Sequence, residues 1–167
     1  TLFPSPAHFR SARMAIPYIR RYQEERELTV FLAVDASGSS DFGTTGQFKR
    51  ELAAELAAVL SFAATTNNDK VGLLMFTDKP ELIVPPRKGR KHVLRMVRDL
   101  LIFTPEGRGT SIGSALDTIN RIVKRRSIIF LISDFLDDPE NLRKSLAATN
   151  RRHDVIALDL HDPMEHQ

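Results

Sequence analysis

Leu28-Thr29-Val30-Phe31-Leu32-Ala33-Val34, followed at once by Asp35-Ala36-Ser37-Gly38-Ser39, is the stretch on which the fold turns. A strand packed on one face alternates apolar and polar residues. A near-continuous apolar run is what a strand buried on both faces of a parallel sheet requires. The apolar text stops at Asp35 and small polar residues take over. In an open parallel sheet, ligands bind beyond the carboxyl ends of the strands, where the strand order reverses. This junction is therefore both the end of a core strand and a candidate site.

Outward from it, strand-like and helix-like segments alternate, which predicts a three-layer α/β domain with a mostly parallel sheet. After a Gly/Ser/Thr-rich loop, Thr44 and Gln47 stand at capping-box spacing before a helix striped by Phe48, Leu52, Leu56, Val59, Leu60 and Ala63. Val71 to Phe76 (VGLLMF) is a second buried strand. Glu81 to Val84, closed by Pro85-Pro86, reads as a short antiparallel edge strand, because proline is tolerated there and not in a sheet centre. Val93, Leu94, Val97, Leu100 and Leu101 mark a second helix, and Ile112, Leu116, Ile119 and Val123 the inner face of a third. Ser127 to Ser133 (SIIFLIS) is the clearest strand. Asp138-Pro139-Glu140 opens a helix with an N-cap, a proline at its first position and an acid in its first turn. Asp154 to Leu160 (DVIALDL) is the last strand.

Three strand-end positions draw attention: Asp35-x-Ser37-x-Ser39, Asp134 at the end of the 127–133 strand, and the Gly107-Arg108-Gly109-Thr110 loop. Each has a plain structural reading as a turn residue, a loop residue or an ordinary N-cap. Together they do more. Two carboxylates at neighbouring strand ends repel by about 4 kcal/mol at 4 Å and an effective dielectric of 20, a cost that a divalent cation removes. The hydroxyls of Ser37, Ser39 and Thr110 add neutral oxygens. Oxygen ligation without His or Cys suits Mg²⁺, with Mn²⁺ or Ca²⁺ also compatible, and not zinc. Two aspartates balance such an ion, and five protein ligands leave an octahedral position open for a carboxylate offered by a partner protein. That is a binding device, and the chain is expected not to be an enzyme.

The totals agree with a single globular domain. The chain has 167 residues, 42% of them apolar, enough to bury a core. Against 21 acidic residues the 24 Lys and Arg leave a net charge of only +3, and the basic runs lack interleaved aromatics, so no nucleic-acid face is expected. Without cysteine there are no disulfides, thiolate nucleophiles or Cys-ligated zinc. No apolar run approaches the roughly 20 residues that span a bilayer. The absence of an initiator Met reads as a piece of a longer protein, whose own membrane anchoring stays open. Residues 1–27 are expected to form a lead-in segment and 28–167 the domain, in the cytoplasm.

Asp35-x-Ser37-x-Ser39 after an apolar strand, the later Gly109-Thr110 and Ile132-Ser133-Asp134 together resemble the metal-ion-dependent adhesion site of von Willebrand factor A-type (VWA) domains. The wider text is similar to one bacterial branch of such proteins, a domain-of-unknown-function family. The matching stretches are Glu24 to Ser39, Asp69 to Phe76, Leu131 to Phe135 and Arg152 to Asp159, spreading the likeness over about residues 19–163. The resemblance implies a doubly wound, Rossmann-like fold. It implies metal held directly by the serine and threonine hydroxyls, with the aspartates acting directly or through water. It also implies a MoxR-type AAA+ ATPase as partner, in systems that assemble or activate other proteins. Arg108 departs from the family pattern, which favours a smaller residue there. Ser111 offers a second hydroxyl beside Thr110.

Other chemistries fit less well. Ser37, Asp134 and His161 follow the chain order of an α/β-hydrolase triad, but the nucleophile elbow needs Gly-x-Ser-x-Gly and here the flanks are Asp35 and Ser39. An aspartyl phosphotransferase using Asp35 wants an acid two residues on, where Ser37 stands. Gly107, Gly109 and Gly113 make an imperfect dinucleotide loop that does not follow a strand. A scaffold with an empty metal site keeps every ligand and is not separable by sequence.

Overall fold

The computed structural model describes residues 27–37 and 44–161, with the side chains of residues 44 and 45 excepted. In chain order the elements are β1 (Thr29–Asp35), α1 (Thr44–Thr66), β2 (Lys70–Phe76), β3 (Pro80–Arg87), α2 (Arg90–Ile102), α3 (Ile112–Ile122), β4 (Ile128–Ser133), α4 (Pro139–Arg152) and β5 (Asp154–Asp159). The sheet order is β3-β2-β1-β4-β5, parallel throughout except for the β2–β3 pair. β1, the strand of the opening stretch, is central, and Phe31, Leu32 and Ala33 are wholly buried.

Each face of the sheet has its own core. Val30, Leu32 and Val34 of β1 point to one side, with Ala53, Ala57, Met96 and Leu100 from α1 and α2. Phe31 and Ala33 point to the other, with Leu116 and Ile119 of α3. Gly72 serves this alternation, since a Cβ there would sit 2.7 Å from the Phe31 ring. Any larger residue would displace the central strand's largest side chain.

The chain from β1 leads to β2 on one side, and the chain from β4 leads to β5 on the other. The strand order therefore reverses between β1 and β4, and the crevice that such a reversal opens lies above Asp35 and Asp134.

Three expectations need correction. α1 does not bury the stripe of large apolar residues: Phe48 is 53% and Val59 62% exposed, while Ala53, Ala54, Ala57, Ser61 and Ala64 face the sheet. Small side chains let the helix lie close on a sheet already filled by Val, Leu and Met. The larger residues Leu52, Leu56 and Leu60 pack at its flanks. In α2, Val93, Met96 and Leu100 are buried, whereas Leu94 and Leu101 are half exposed. β3 runs past Pro85-Pro86 to Arg87, because a register shift opposite Val71 to Leu73 takes up prolines that cannot donate to a ladder.

Two helix starts follow their sequence signals, whereas Thr44 and Gln47, expected to cap the first helix, lie within it. Asp138 caps α4 by accepting from the Glu140 N–H, with Pro139 at the first position. Ser111 caps α3 by accepting from the Ser114 N–H. Among the described residues, no helix is long and apolar enough to cross a membrane.

Candidate functional site

β1 delivers Asp35 at the top of the sheet with its carboxylate turned inward, where both oxygens are engaged. Oδ1 accepts from the Ser37 N–H at 2.9 Å and the Ser37 hydroxyl at 2.6 Å. Oδ2 accepts from the Ser133 hydroxyl at 2.7 Å. Burial pushes the Asp35 carboxyl above its ordinary pKa, partly offset by those hydrogen bonds, and the negative charge of Asp134 adds to the rise.

Thr110 comes from a different part of the chain, yet its Oγ1 lies 2.5 Å from the Ser37 Oγ. The Ser37 proton is committed to Asp35, so the Thr110 hydroxyl donates to Ser37. Three oxygens thus form a chain from Thr110 through Ser37 to Asp35. Ser111, the neighbouring hydroxyl, is the cap of α3, so the one facing Ser37 is that of Thr110.

Asp134 follows β4 and lines the same cleft as Asp35 and Ser37. Its Oδ1 accepts from the Leu136 N–H, and the chain turns sharply through Phe135, whose φ is +58°. A left-handed phenylalanine costs about 1–3 kcal/mol and persists only where its surroundings impose it. Here its N–H donates to the Ser133 hydroxyl that also holds Asp35. Ser39 lies outside the described residues. Arg108 and His161 are exposed.

The structure adds residues that the sequence reading did not single out. Ser133 ties the two strand ends together as just described. Lys49, on α1, reaches the Asp134 Oδ2 at 3.3 Å, with both side chains largely buried. Glu81 of β3 holds the Thr110 loop: its carboxylate accepts from the Thr77 hydroxyl and from the N–H groups of Glu106 and Gly107. Burial alone would raise the Glu81 pKa, but these donors, helped by Lys79, outweigh it and hold the carboxyl below its ordinary value. The Ser111 N–H then donates to the Thr77 carbonyl at 2.9 Å, which fixes the loop beside β2. Gly107 is required there, since a Cβ would lie 2.1 Å from the Thr77 Oγ1. The Ile132-Ser133-Asp134 spacing was a signal for Ser133. Nothing local marks Lys49 or Glu81, which reach the site only through tertiary packing.

Among the described residues there is no group of three or more His, Cys, Asp or Glu placed to hold a metal. Any ion here must therefore rely on hydroxyl oxygens beside the two aspartates. That donor set is hard and all oxygen, and it suits Mg²⁺, Mn²⁺ or Ca²⁺ in its chemistry. The hydroxyl chain would offer its lone pairs to an ion that replaced the hydrogen bonds.

Residues 9–167 match the sequence profile of the family described as "Protein of unknown function DUF58". The uncharacterized protein Rv1480 of Mycobacterium tuberculosis is 35% identical over 157 residues, which are 93% of this chain and 49% of that protein. The chain thus spans about half the length of the curated relatives it matches. Among solved structures, BatB of Bacteroides thetaiotaomicron aligns with a TM-score of 0.60 at 22% identity, over 79% of this chain and 66% of BatB. An aerotolerance-related membrane protein of Bacteroides fragilis aligns at 0.62 and 21%, over 79% and 67%. The vWF domain of the pilus tip protein Mfa5 of Porphyromonas gingivalis aligns at 0.54 and 18%, over 65% and 38%. These likenesses show a VWA-like fold. The chain belongs to the DUF58 family.

Proposed function

We propose that this DUF58 domain is a metal-dependent protein-interaction module. In this reading, a divalent cation, Mg²⁺ or in its place Mn²⁺ or Ca²⁺, is held by Asp35, Ser37, Ser39, Thr110 and Asp134. The observation that carries it is the convergence of oxygens from separate chain segments: Ser37 Oγ lies 2.6 Å from the Asp35 Oδ1 and 2.5 Å from the Thr110 Oγ1. The strand-order reversal sets Asp134 beside them. The ion supplies an electrophilic coordination position, and an acidic side chain of a partner protein fills it.

The surroundings suit a protein rather than a small metabolite. Leu136, two residues beyond Asp134, is 73% exposed, and Ile102 at the top of α2 is 69% exposed. Large exposed apolar side chains offer area that a folded partner can cover. A MoxR-type AAA+ ATPase is the proposed partner class, by family resemblance, in the cytoplasmic assembly or activation of other proteins.

The test is capture of a MoxR-type ATPase by the immobilised domain with Mg²⁺ present and again with chelator. Capture that depends on the ion and is lost on removing one acidic residue of the partner supports the bridge; capture indifferent to the ion contradicts it. The hydrolase alternative rests on Ser37, Asp134 and His161. It would prevail if activated esters were turned over and Ser37→Ala abolished that turnover.

A further inference from the structure

We propose that Lys49 is a tethered cation that competes with the divalent ion for Asp134, so that the site exists in a self-neutralised form and a loaded form. The inference rests on the metal reading above and deepens it. Lys49 lies in the second turn of α1, near the end of the helix that faces the site, and lines the same cleft as Asp35, Ser37 and Asp134. Its Nζ is 3.3 Å from the Asp134 Oδ2, with side-chain exposures of 13% and 15%. A lysine this buried is uncommon without an anionic partner, and Asp134 supplies one.

The neighbouring cation does not share this task. Arg50 turns its guanidinium away, to the carbonyl oxygens of Leu101 and Phe103, where it ties α1 to the end of α2. Among the described residues that line the cleft, Lys49 is therefore the positive group set against Asp134. A divalent ion bound at Asp134 would stand within a few ångströms of the ammonium, in a cleft where water screens little. Two cations cannot share the carboxylate without strong repulsion, so loading requires the Lys49 side chain to swing out. Its flexible four-carbon stem permits this. The ammonium thereby weakens ion binding and keeps the ion-free domain stable.

The experiment is equilibrium titration with Mn²⁺ alone, and with Mg²⁺ alone, of the wild type, Lys49→Met, Lys49→Gln and Lys49→Arg, each confirmed folded by its melting curve. Met and Gln remove the charge with different side chains, so one remains usable if the other folds poorly. The proposal expects Met and Gln to bind Mn²⁺ about tenfold more tightly or better, while Arg stays close to the wild type. It also expects added Mn²⁺ to raise the melting temperature more in Met and Gln than in the wild type. Binding by Lys49→Met alone, with none by the wild type, would be the strongest support. Binding by wild type and neutral variants with equal affinity overturns the competition and leaves the metal site standing. No binding by any of the four overturns both.

Discussion

At the scale of single residues, the site is a set of small polar groups whose positions are fixed by hydrogen bonds with neighbouring side chains. Ser133 holds the Asp35 Oδ2, and Glu81 holds the loop that carries Thr110. Gly107 shows how narrow the tolerance is. Its added Cβ would meet the oxygens of Thr77 and Asp78 at 2.1 and 2.3 Å, and Thr77 is wholly buried, so it has little room to yield. Gly107→Ala is expected to cost about 1–3 kcal/mol in urea unfolding and to weaken Mn²⁺ binding by moving Thr110. Gly109 sits in the same loop with ordinary room, 3.5 Å to the Asp78 Cβ, so Gly109→Ala should change both far less. Equal losses in the two variants would refute this account of the loop. The aspartates and hydroxyls were legible because they lie in short motifs at strand ends. Lys49 and Glu81 were not, since their roles come from contacts made 85 and 25 residues away in sequence.

At the scale of elements, the buried strands were plain from composition and the helix faces were not. β1, β2 and β4 are apolar through their interiors because both sides are covered. In α1 the large apolar residues flank the buried face or stand exposed, because close packing on the sheet selects alanine there. Ala57→Leu should therefore destabilise by about 1–3 kcal/mol through overpacking, and Val59→Ala should stay within about 0.5 kcal/mol of the wild type. Chemical denaturation measures both, and a reversed ranking would restore the original stripe. The junction of α4 and β5 adds a pH effect. His153 is buried at the end of α4, and its Nδ1 accepts from the Ser127 N–H at the start of β4. Burial, with the nearby charges of Arg152 and Arg126, holds its pKa below the ordinary histidine value. As pH falls through about 6.5, the unfolded chain takes up this proton first. The histidine's contribution is therefore full above that pH and is lost below it, until the folded ring itself protonates. His153→Asn keeps an acceptor without the titration, so its melting temperature should fall less between pH 7 and pH 5 than that of the wild type; parallel curves would exclude this role.

At the scale of the whole molecule, the α/β class followed from the alternation of segments, but the strand order did not. The order depends on which buried strands pair across long sequence separations, and several apolar strands of similar character do not encode their neighbours locally. The observed order sets β1 and β4 side by side with their connections leaving in opposite directions. Residues near 35 and 134 thereby become one site, to which the loop before α3 adds Thr110. The measurement that tests the central claim most directly is Mn²⁺ titration of the wild type, Ser37→Ala, Thr110→Ala and Asp134→Asn, followed calorimetrically. The account predicts saturable binding of a single ion in the wild type and its loss or marked weakening in each variant. Equal binding in all four, or no binding by the wild type and none by Lys49→Met, would contradict it.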